Sequence, residues 1–380
     1  MQPTYIKDNS FAGLSGVDSD VTTILARIQA LQNRLSELSL DEHRRDILKR
    51  ACTGLLANSD ESSDGFWLRP HVVEEIRRVT DEELPNYLFY RFRYDVFPVV
   101  KEIDAYPPCV QIEPTSVCNY RCVFCYQVDP KLTDRKAGHK GRMTLDTFKA
   151  VVDQIEGEVE AVTLASRGEP LLCKDIVKML EYVSGKFLGF KINTNAWYLD
   201  EAKAHALLAA EPNTVVFSAD AADEELYAKL RVNGRLDRVL ENIRMFAEIR
   251  AKHYPNSRTI TRVSGVDFSD KQDFGEIEKF WNDYVDQVAF VDYNPWVSVY
   301  DADATNVSDA CSDLWRRTFV WWDGRVNPCD VDYLSTLSTG NIVESSLSDI
   351  WIGAAYQKLR QAHLDNRRNG LLPCKNCSLI

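Results

Sequence analysis

Between residues 107 and 293, short apolar runs alternate with stretches in which apolar residues recur every three or four positions. This alternation predicts β-strands that are each followed by an amphipathic helix. Six strand–helix units in this order favour a parallel sheet curled into a partial (β/α)6 barrel. The predicted strands cover 109–115, 160–166, 189–195, 214–220, 258–265 and 287–293. The predicted helices cover 144–155, 174–184, 200–210, 237–251 and 274–285.

The first hundred residues have a different pattern. Apolar residues at helical spacing predict one helix over 24–38 and a second over 41–57, and Thr80 and Glu83 form a capping-box pattern before an aromatic-rich helix. We expect the apolar stripe of the first helix to pack against its own protein; it can also serve a dimer, and the oligomeric state stays open.

Three regions follow from these patterns. A helical N-terminal extension is predicted over 1–104, the partial barrel over 105–300 and a small C-terminal domain over 301–380. Residues 1–19 are predicted to be a loose polar arm, and 58–65 a loop. The carboxyl ends of the barrel strands are where such folds place their chemistry.

Composition narrows the classes of function. The chain has 380 residues, of which 45% are apolar, and a formal net charge of −12 without a basic stripe. These values predict a globular protein that is not a general nucleic-acid binder. The start is polar, and no apolar run reaches membrane-spanning length, so we expect no membrane insertion and a cytoplasmic location.

Ten cysteines are many for a protein in a reducing compartment, where grouped thiols point to metal. Three follow the first predicted strand, and three thiolates on a four-iron cluster leave one iron open. Four more lie near the C-terminus, and four thiolates ligate a cluster completely. For both groups a zinc site is the alternative. The two groups are Cys118, Cys122 and Cys125, then Cys311, Cys329, Cys374 and Cys377.

The segment IEPTSVCNYRCVFCY resembles the first strand and CxxxCxxC loop of the radical S-adenosylmethionine (radical SAM) enzymes. SRGEPLL at 166–172 is similar to the GGEP stretch of that family. The runs KINTNAWYLD and VVFSADAADEELYAKLRVNG are similar to its third and fourth strand regions, so the resemblance spans about 107–293. It implies a 4Fe–4S cluster whose open iron binds SAM. An electron from a flavodoxin- or ferredoxin-type donor then cleaves SAM to a 5′-deoxyadenosyl radical that abstracts a substrate hydrogen atom.

The resemblance also implies roles for single residues. Phe124 takes the position of a hydrophobic residue near the adenine, and Gly168 and Glu169 lie in the stretch that receives the methionyl amino group. Arg167 departs from the family pattern, because it replaces a glycine. Its side chain is expected either in the substrate space or in solvent.

Three further polar residues are expected to contact SAM. Asn195 and Ser218 are candidates for the ribose or the carboxylate, although strand-end hydrogen bonding is an equal alternative. Arg262 is expected to pair with the SAM carboxylate through a bidentate fork.

The C-terminal cysteine pattern resembles the SPASM/twitch extension of radical SAM enzymes, in its shorter version with one auxiliary 4Fe–4S cluster. Its spacing is similar to that of an alcohol-oxidising aminocyclitol dehydrogenase of the family. The resemblance implies dehydrogenation of an alcohol of a carbohydrate or aminocyclitol, with the auxiliary cluster as electron acceptor. The alternative is modification of a peptide by oxidation, crosslinking or epimerisation.

Other residues separate these functions. An epimerase needs a hydrogen-atom donor, for which Cys173 or Cys109 is available. A dehydrogenase needs a proton acceptor, and the sequence does not rank the histidines, Asp220, Asp292 and Tyr293. A scaffold protein with structural zinc or iron–sulfur sites is a third, non-enzymatic hypothesis.

Overall fold

A computed structural model describes residues 4–5, 21–57, 65–293 and 299–380, with the side chain of Arg135 outside this description. The predicted N-terminal arm, apart from residues 4–5, and nearly all of the predicted loop at 58–65 lie outside the described residues.

The N-terminal extension is helical, as predicted. Its helices enclose a core of their own, which includes Ile28, Leu48, Leu88 and Phe92. Thr80 and Glu83 form the predicted capping box, since the Thr80 amide donates to the Glu83 carboxylate at 2.8 Å and the Glu83 amide to the Thr80 hydroxyl at 3.3 Å. The helices are α1 (Thr22–Arg34), α2 (Glu42–Ala57), α3 (Pro70–Arg78) and α4 (Leu84–Val100).

The middle of the chain alternates strands and helices, and the six predicted parallel strands are all present. Buried apolar residues of their outer face, such as Ile112, Leu164 and Phe217, pack against the surrounding helices. The elements are β1 (Cys109–Ile112), β2 (Arg121–Cys122), α5 (Pro130–Thr133), α6 (Leu145–Ile155), β3 (Ala161–Leu164), α7 (Ile176–Val183), β4 (Gly189–Thr194), α8 (Glu201–Ala210), β5 (Thr214–Ser218), α9 (Glu224–Leu230), β6 (Arg231–Val232), α10 (Leu236–His253), β7 (Ile260–Asp267), α11 (Phe274–Trp281) and β8 (Gln287–Asp292).

The C-terminal region continues the same sheet. Its first strand pairs in parallel with β1, Cys109 opposite Arg317, and the next two strands add in antiparallel orientation. The sequence patterns did not predict this continuation. The elements are α12 (Asp313–Arg316), β9 (Arg317–Val320), β10 (Arg325–Asn327), β11 (Gly340–Asn341), α13 (Leu347–Ile352) and α14 (Ala354–Leu364).

Within the described residues the main sheet has nine strands in the order β11-β10-β9-β1-β3-β4-β5-β7-β8. The fold is therefore mixed α/β, with the expected partial barrel and a C-terminal domain attached at its β1 side. Trp315, Trp351 and Tyr356 of that domain share the buried core of the barrel. In the part of the chain described, no helix is both long and apolar enough to cross a bilayer.

Candidate functional site

The first three cysteines lie on the loop of residues 113–128, here called the cluster loop, which begins where β1 ends. Inside it, β2 pairs with β6 so that Cys122 lies opposite Arg231. The Val123 amide donates to the Leu230 carbonyl at 3.0 Å, and the Cys125 amide to the Cys122 carbonyl at 3.0 Å. These bonds fix the backbone around Cys122 and Cys125.

Gly168 brings the segment after β3 directly against the cluster loop. A β-carbon at this position would lie 2.3 Å from the Thr115 carbonyl oxygen and 2.6 Å from that of Val117. The next amide, that of Glu169, donates to the Val117 carbonyl at 3.0 Å. Only glycine permits this approach, which places the sequence-predicted GEP stretch beside Cys118.

Glu169 is buried and joins two strand ends. Its carboxylate accepts hydrogen bonds from the Thr194 hydroxyl at 2.7 Å, the Asn195 amide at 2.7 Å and the Leu171 amide at 3.0 Å. Burial raises the pKa of Glu169, and the bond from Asn195 offsets part of that rise. The Asn195 side chain donates to the Asn119 amide oxygen at 3.0 Å. Glu169 and Asn195 therefore meet at the cluster loop, and their predicted contacts with SAM stay a prediction.

Phe124 is buried between an aromatic ring and a guanidinium group. Its ring lies 5.6 Å from that of Phe268, and the Arg231 guanidinium carbon is 5.6 Å from its centroid. Arg231 also places Nη1 3.8 Å from the Cys122 sulfur and Nε 2.5 Å from the Asp220 carboxylate. Sequence reasoning missed Arg231, because nothing in the local sequence marks it as a neighbour of a thiol 109 residues earlier.

The pKa values of this group follow from its burial. Burial raises the pKa of Asp220, which the neighbouring Arg231 partly offsets. Asp220 holds Arg231 in its charged form against the cost of desolvation, so that the Arg231 pKa is raised. Asp220, a candidate base from the sequence, is therefore occupied in a buried ion pair.

Arg167 is neither in solvent nor pointed into open space. Its guanidinium forms a bidentate pair with buried Glu113, at 2.8 Å and 2.6 Å, and donates to the Tyr333 carbonyl at 2.9 Å. It also lies 4.3 Å over the Trp321 ring. The side chain of Arg167 therefore lies neither in the substrate space nor in solvent, the two places that the sequence suggested. It has a structural role, because it joins the end of β1 to the C-terminal domain.

Ser218 and Arg262 lie in different parts of the barrel. Ser218 is the last residue of β5, half-buried at the carboxyl edge and paired in register with Ser264. Arg262 donates to the side chain of Gln287, the first residue of β8, at 2.9 Å and 2.6 Å, and Gln287 in turn donates to Glu74 of α3. The structure thus turns Arg262 towards the N-terminal extension and does not bring it to the cluster loop.

The described residues around the cluster loop fit a polar ligand such as SAM. Three polar atoms are buried there and have no hydrogen-bond partner among the described residues: Asn119 Nδ2, Ser166 Oγ and Asn193 Oδ1. Buried polar atoms are nearly always hydrogen-bonded in a functional state. They are thus available to the amino, carboxylate or ribose groups of a bound ligand.

The three thiols of the cluster loop fit a metal cluster. Burial raises the pKa of all three, that of Cys118 to about 12 with a further contribution from Glu169. Buried thiols of this kind become thiolates when a metal compensates their charge.

The C-terminal cysteines meet in one cavity. Cys311, Cys329, Cys374 and Cys377 line this cavity together with apolar side chains such as Val331. The first and last of these residues, Cys311 and Cys377, are 66 positions apart in the sequence, so only the fold brings the four together. Four sulfur donors around one cavity suit a fully ligated iron–sulfur cluster.

Two buried side chains hold this cavity in shape. Arg368 donates to the carbonyls of Cys377 at 3.1 Å, Cys374 at 3.3 Å and Leu379 at 2.9 Å. The Cys311 amide donates to Nδ1 of His363 at 3.2 Å, and burial lowers the pKa of His363 to about 3. A neutral imidazole is therefore available as the acceptor throughout the neutral pH range. Neither residue carries a sequence signal.

The remaining candidates are spread over the molecule. The Cys173 sulfur lies 3.7 Å from the Met143 carbonyl, in the apolar layer outside the sheet. Cys109 packs against Tyr94 at the amino end of β1. Asp292 ends β8, and the Tyr293 ring lies 4.8 Å from that of Phe268. Asp292 and Tyr293 are therefore at the carboxyl edge, whereas the two cysteines are packed elsewhere.

The six histidines are also dispersed. His71 and His43 belong to the N-terminal extension, His205 and His253 contact each other on α8 and α10, and His363 supports the C-terminal cavity. The remaining one, His139, is near the cluster loop, and its carbonyl accepts from the Trp322 ring at 3.2 Å.

Comparison with known families matches both halves of this site. The radical SAM superfamily model matches residues 112–280, and the SPASM iron–sulfur cluster-binding domain model matches 311–378. Among curated proteins, the GTP 3′,8-cyclase of Listeria welshimeri is 27% identical over 189 residues, which are 49% of this chain and 54% of the cyclase. The match thus spans about half the length of that relative.

Solved structures show the same fold. BtrN in complex with AdoMet and 2-DOIA aligns with a TM-score of 0.50 and 17% identity, over 73% of this chain and 94% of BtrN. Streptococcus suis SuiB bound to precursor peptide SuiA aligns with a TM-score of 0.55 and 18% identity, over 73% of this chain and 72% of SuiB. SuiB bound to S-adenosylmethionine aligns at 0.54 and 17%, over 85% and 84%.

Residues 112–280, with the three-cysteine loop at the carboxyl edge of the partial barrel, therefore form a radical SAM domain, and residues 311–378, with the four-cysteine cavity, form a SPASM domain. These domains bind S-adenosylmethionine and 4Fe–4S clusters.

Proposed function

We propose that this protein is a radical SAM oxidoreductase that dehydrogenates an alcohol of a carbohydrate or aminocyclitol substrate. The observation that carries the proposal is the C-terminal cavity, in which four thiols converge. Four thiolates complete the ligation of one 4Fe–4S cluster and leave no iron open to substrate. Such a cluster is suited to accept an electron.

The site supports the following assignment of residues. Cys118, Cys122 and Cys125 would hold the SAM-binding cluster, and Glu169 with the partnerless Nδ2 of Asn119 would bind SAM. When bound, these groups supply a 5′-deoxyadenosyl radical. The cluster loop and the carboxyl edge of the sheet then hold the substrate carbon within reach of that radical.

The proposed reaction balances as a two-electron oxidation. The alcohol carbon loses one hydrogen atom to the radical, the hydroxyl loses a proton to a base, and one further electron must leave the substrate. Of the candidate bases, Asp292 and Tyr293 lie at the carboxyl end of β8, whereas Asp220 is paired with Arg231. An adjacent cluster provides the place for the electron.

Peptide modification is the second candidate, and one observation favours it. The alignment with SuiB bound to S-adenosylmethionine covers 85% of this chain, and that with peptide-bound SuiB covers 73%, whereas residues 105–380 make up less than three quarters of the chain. The similarity therefore reaches into the helical extension. SuiB has been solved with a precursor peptide, so the extension of this chain can serve to bind a peptide leader.

Solvent-deuterium labelling tests the proposal. Reconstituted enzyme is incubated with SAM, dithionite and either a panel of aminocyclitols and sugars or candidate precursor peptides, in heavy water. We expect an oxidised alcohol two mass units lighter, equimolar with 5′-deoxyadenosine, without deuterium at the oxidised carbon. A product one mass unit heavier than the substrate, in which deuterium replaces the abstracted hydrogen, or turnover of peptides alone, would overturn the proposal.

A further inference from the structure

A small apolar core separates the two groups of cysteines. It consists of Tyr126, Leu132, Val299, Val331, Tyr333 and Leu379, and is here called the intercluster core. Cys125 of the cluster loop packs against it, and so do Cys329 and Cys377 of the C-terminal cavity. Closely packed protein thus lies between the two cluster sites.

Two tyrosines form the centre of this core. Tyr126 directly follows Cys125, and its ring stacks on that of Tyr333 with centroids 5.0 Å apart and planes inclined by 28°. Tyr333 is fully buried. Two residues before it, the Val331 amide donates to the Cys329 sulfur at 3.3 Å. Short covalent segments and one ring contact therefore connect Cys125 with Cys329.

Tyr333 is held from two sides. Its hydroxyl donates to the Asp129 carboxylate at 2.6 Å, and its carbonyl accepts from Arg167, which is itself fixed by Glu113. A third ring, that of Tyr300, meets Tyr333 edge-on at 4.9 Å. Burial and the bond to Asp129 raise the pKa of Tyr333, so the phenol keeps its proton.

We propose that the stacked pair Tyr126 and Tyr333 is the medium through which an electron passes between the C-terminal cluster and the barrel cluster. Electron tunnelling falls steeply with distance and is faster through bonded, closely packed atoms than across a gap. One electron leaves the C-terminal cluster, which is oxidised, and reaches the barrel cluster, which is reduced. No bond changes, and both phenols stay protonated.

This role rests on the proposed function, in which the C-terminal cluster takes up an electron from the substrate radical. Its passage to the barrel cluster restores the reduced state that SAM cleavage requires. Arg167 is then a positioning residue, since it fixes the backbone of Tyr333 and not the reacting atoms.

The test uses the holoenzyme without SAM and without substrate, so that SAM cleavage does not consume an electron on the barrel cluster. Photoexcited deazaflavin with a sacrificial donor delivers less than one electron per chain, and freeze-quench electron paramagnetic resonance follows how that electron distributes between the two clusters. We expect the redistribution to be at least ten-fold slower in Tyr126→Leu and Tyr333→Leu than in the wild type. Tyr333→Phe keeps the ring and is expected to match the wild type.

Wild-type redistribution in both leucine variants would overturn the proposal. So would a Tyr333→Phe variant as slow as Tyr333→Leu, because the hydroxyl and not the ring would then matter. Iron content and melting temperature show that each variant is assembled, and Tyr126→Leu remains informative if Tyr333→Leu does not fold. Because no substrate is present, failure of this test is distinct from failure of the proposed dehydrogenation.

Discussion

The two cysteine sites are built in opposite ways. In the cluster loop, three thiols lie within eight consecutive residues, and their spacing is a local property of the chain. In the C-terminal cavity, the four thiols come from three separate segments, which the fold and buried Arg368 bring together.

The surroundings of the two sites differ in the same sense. Around the cluster loop, polar atoms such as Asn119 Nδ2 are buried without a hydrogen-bond partner among the described residues, and the thiol set is one short of four. The cavity is lined by four thiols, by apolar residues such as Leu314 and by charged ones such as Asp313. The first site therefore has polar groups available to an additional ligand, whereas the second has a set of four sulfur donors. Under the proposed function, this difference corresponds to substrate chemistry at the first site and to electron acceptance at the second.

The largest expected effect is the loss of iron and of SAM cleavage when the thiols of the cluster loop are removed. Anaerobically reconstituted wild-type protein should hold about eight iron atoms per chain, as two 4Fe–4S clusters require. The Cys118→Ala/Cys122→Ala/Cys125→Ala variant should retain about half of the iron and lose SAM cleavage completely, because the open iron is gone. Iron and zinc analysis with a 5′-deoxyadenosine assay measures both. Full iron in this variant, or zinc in the remaining site, would contradict the two-cluster assignment.

Removing two thiols of the C-terminal cavity should have the opposite effect on SAM cleavage. Cys374→Ala/Cys377→Ala should lose about half of the iron yet still cleave SAM, because cleavage needs only the cluster loop. Oxidised product should fall at least ten-fold, since the substrate radical lacks its electron acceptor.

Cys173→Ala is the matched control, because its sulfur lies in the apolar layer outside the sheet and should bind no iron. A melting curve of the double variant separates loss of electron transfer from loss of fold. Product formation at the wild-type rate in a folded double variant would refute the acceptor role.

The third prediction concerns Arg231, whose positive charge is buried beside the cluster loop. Arg231→Met removes a cation 3.8 Å from the Cys122 sulfur and leaves the Asp220 carboxylate buried without its partner. We expect a loss of about 3–5 kcal/mol in the free energy of unfolding and a lower reduction potential of the barrel cluster, since positive charge near the sulfurs favours reduction.

Denaturant unfolding and a redox titration followed by electron paramagnetic resonance measure these two quantities. The control is Arg235→Met, whose side chain is mostly exposed and pairs with Asp237 at the surface. It should change the unfolding free energy by no more than about 0.5 kcal/mol. Equal potentials in Arg231→Met and the wild type would rule out the electrostatic role.

Gly168 gives the smallest expected effect. In Gly168→Ala the new methyl group would lie 2.3 Å from the Thr115 carbonyl oxygen, so the cluster loop must shift. Overpacking of this kind costs about 1–3 kcal/mol, and SAM affinity, measured by equilibrium binding to the holoenzyme, should fall several-fold. Gly370→Ala meets no atom within 4 Å and should leave both quantities unchanged. If both variants bind SAM equally well, the close approach at Gly168 is unimportant for binding.

Much of the barrel could be predicted from sequence. The six strands of its parallel sheet lie where the alternating apolar and amphipathic segments predicted them. For example, β4 covers Gly189–Thr194, within the predicted strand 189–195. Each unit is local in sequence, so periodicity contains the necessary information. The cluster loop and Glu169 were recognised through their resemblance to the radical SAM pattern, which is local because each lies in a short segment directly after a strand.

Other features could not be predicted from the sequence, because they depend on side-chain contacts between distant segments. Arg262 is on a predicted strand, but its side chain is turned to Gln287 and the N-terminal extension, which sequence periodicity does not specify. Arg167 was recognised as a departure from the family pattern, yet its partners Glu113 and Tyr333 are 54 and 166 residues away.

The sequence by itself determined the chemistry available to this protein: three closely spaced thiols, a glycine–glutamate pair and a C-terminal set of four cysteines. Only the tertiary structure decided how these parts act together. It extended the barrel sheet with β9, closed the four-thiol cavity with Arg368 and stacked Tyr126 on Tyr333 between the two sites. Such contacts depend on packing between segments distant in the chain, and packing energy has no local signal in the sequence.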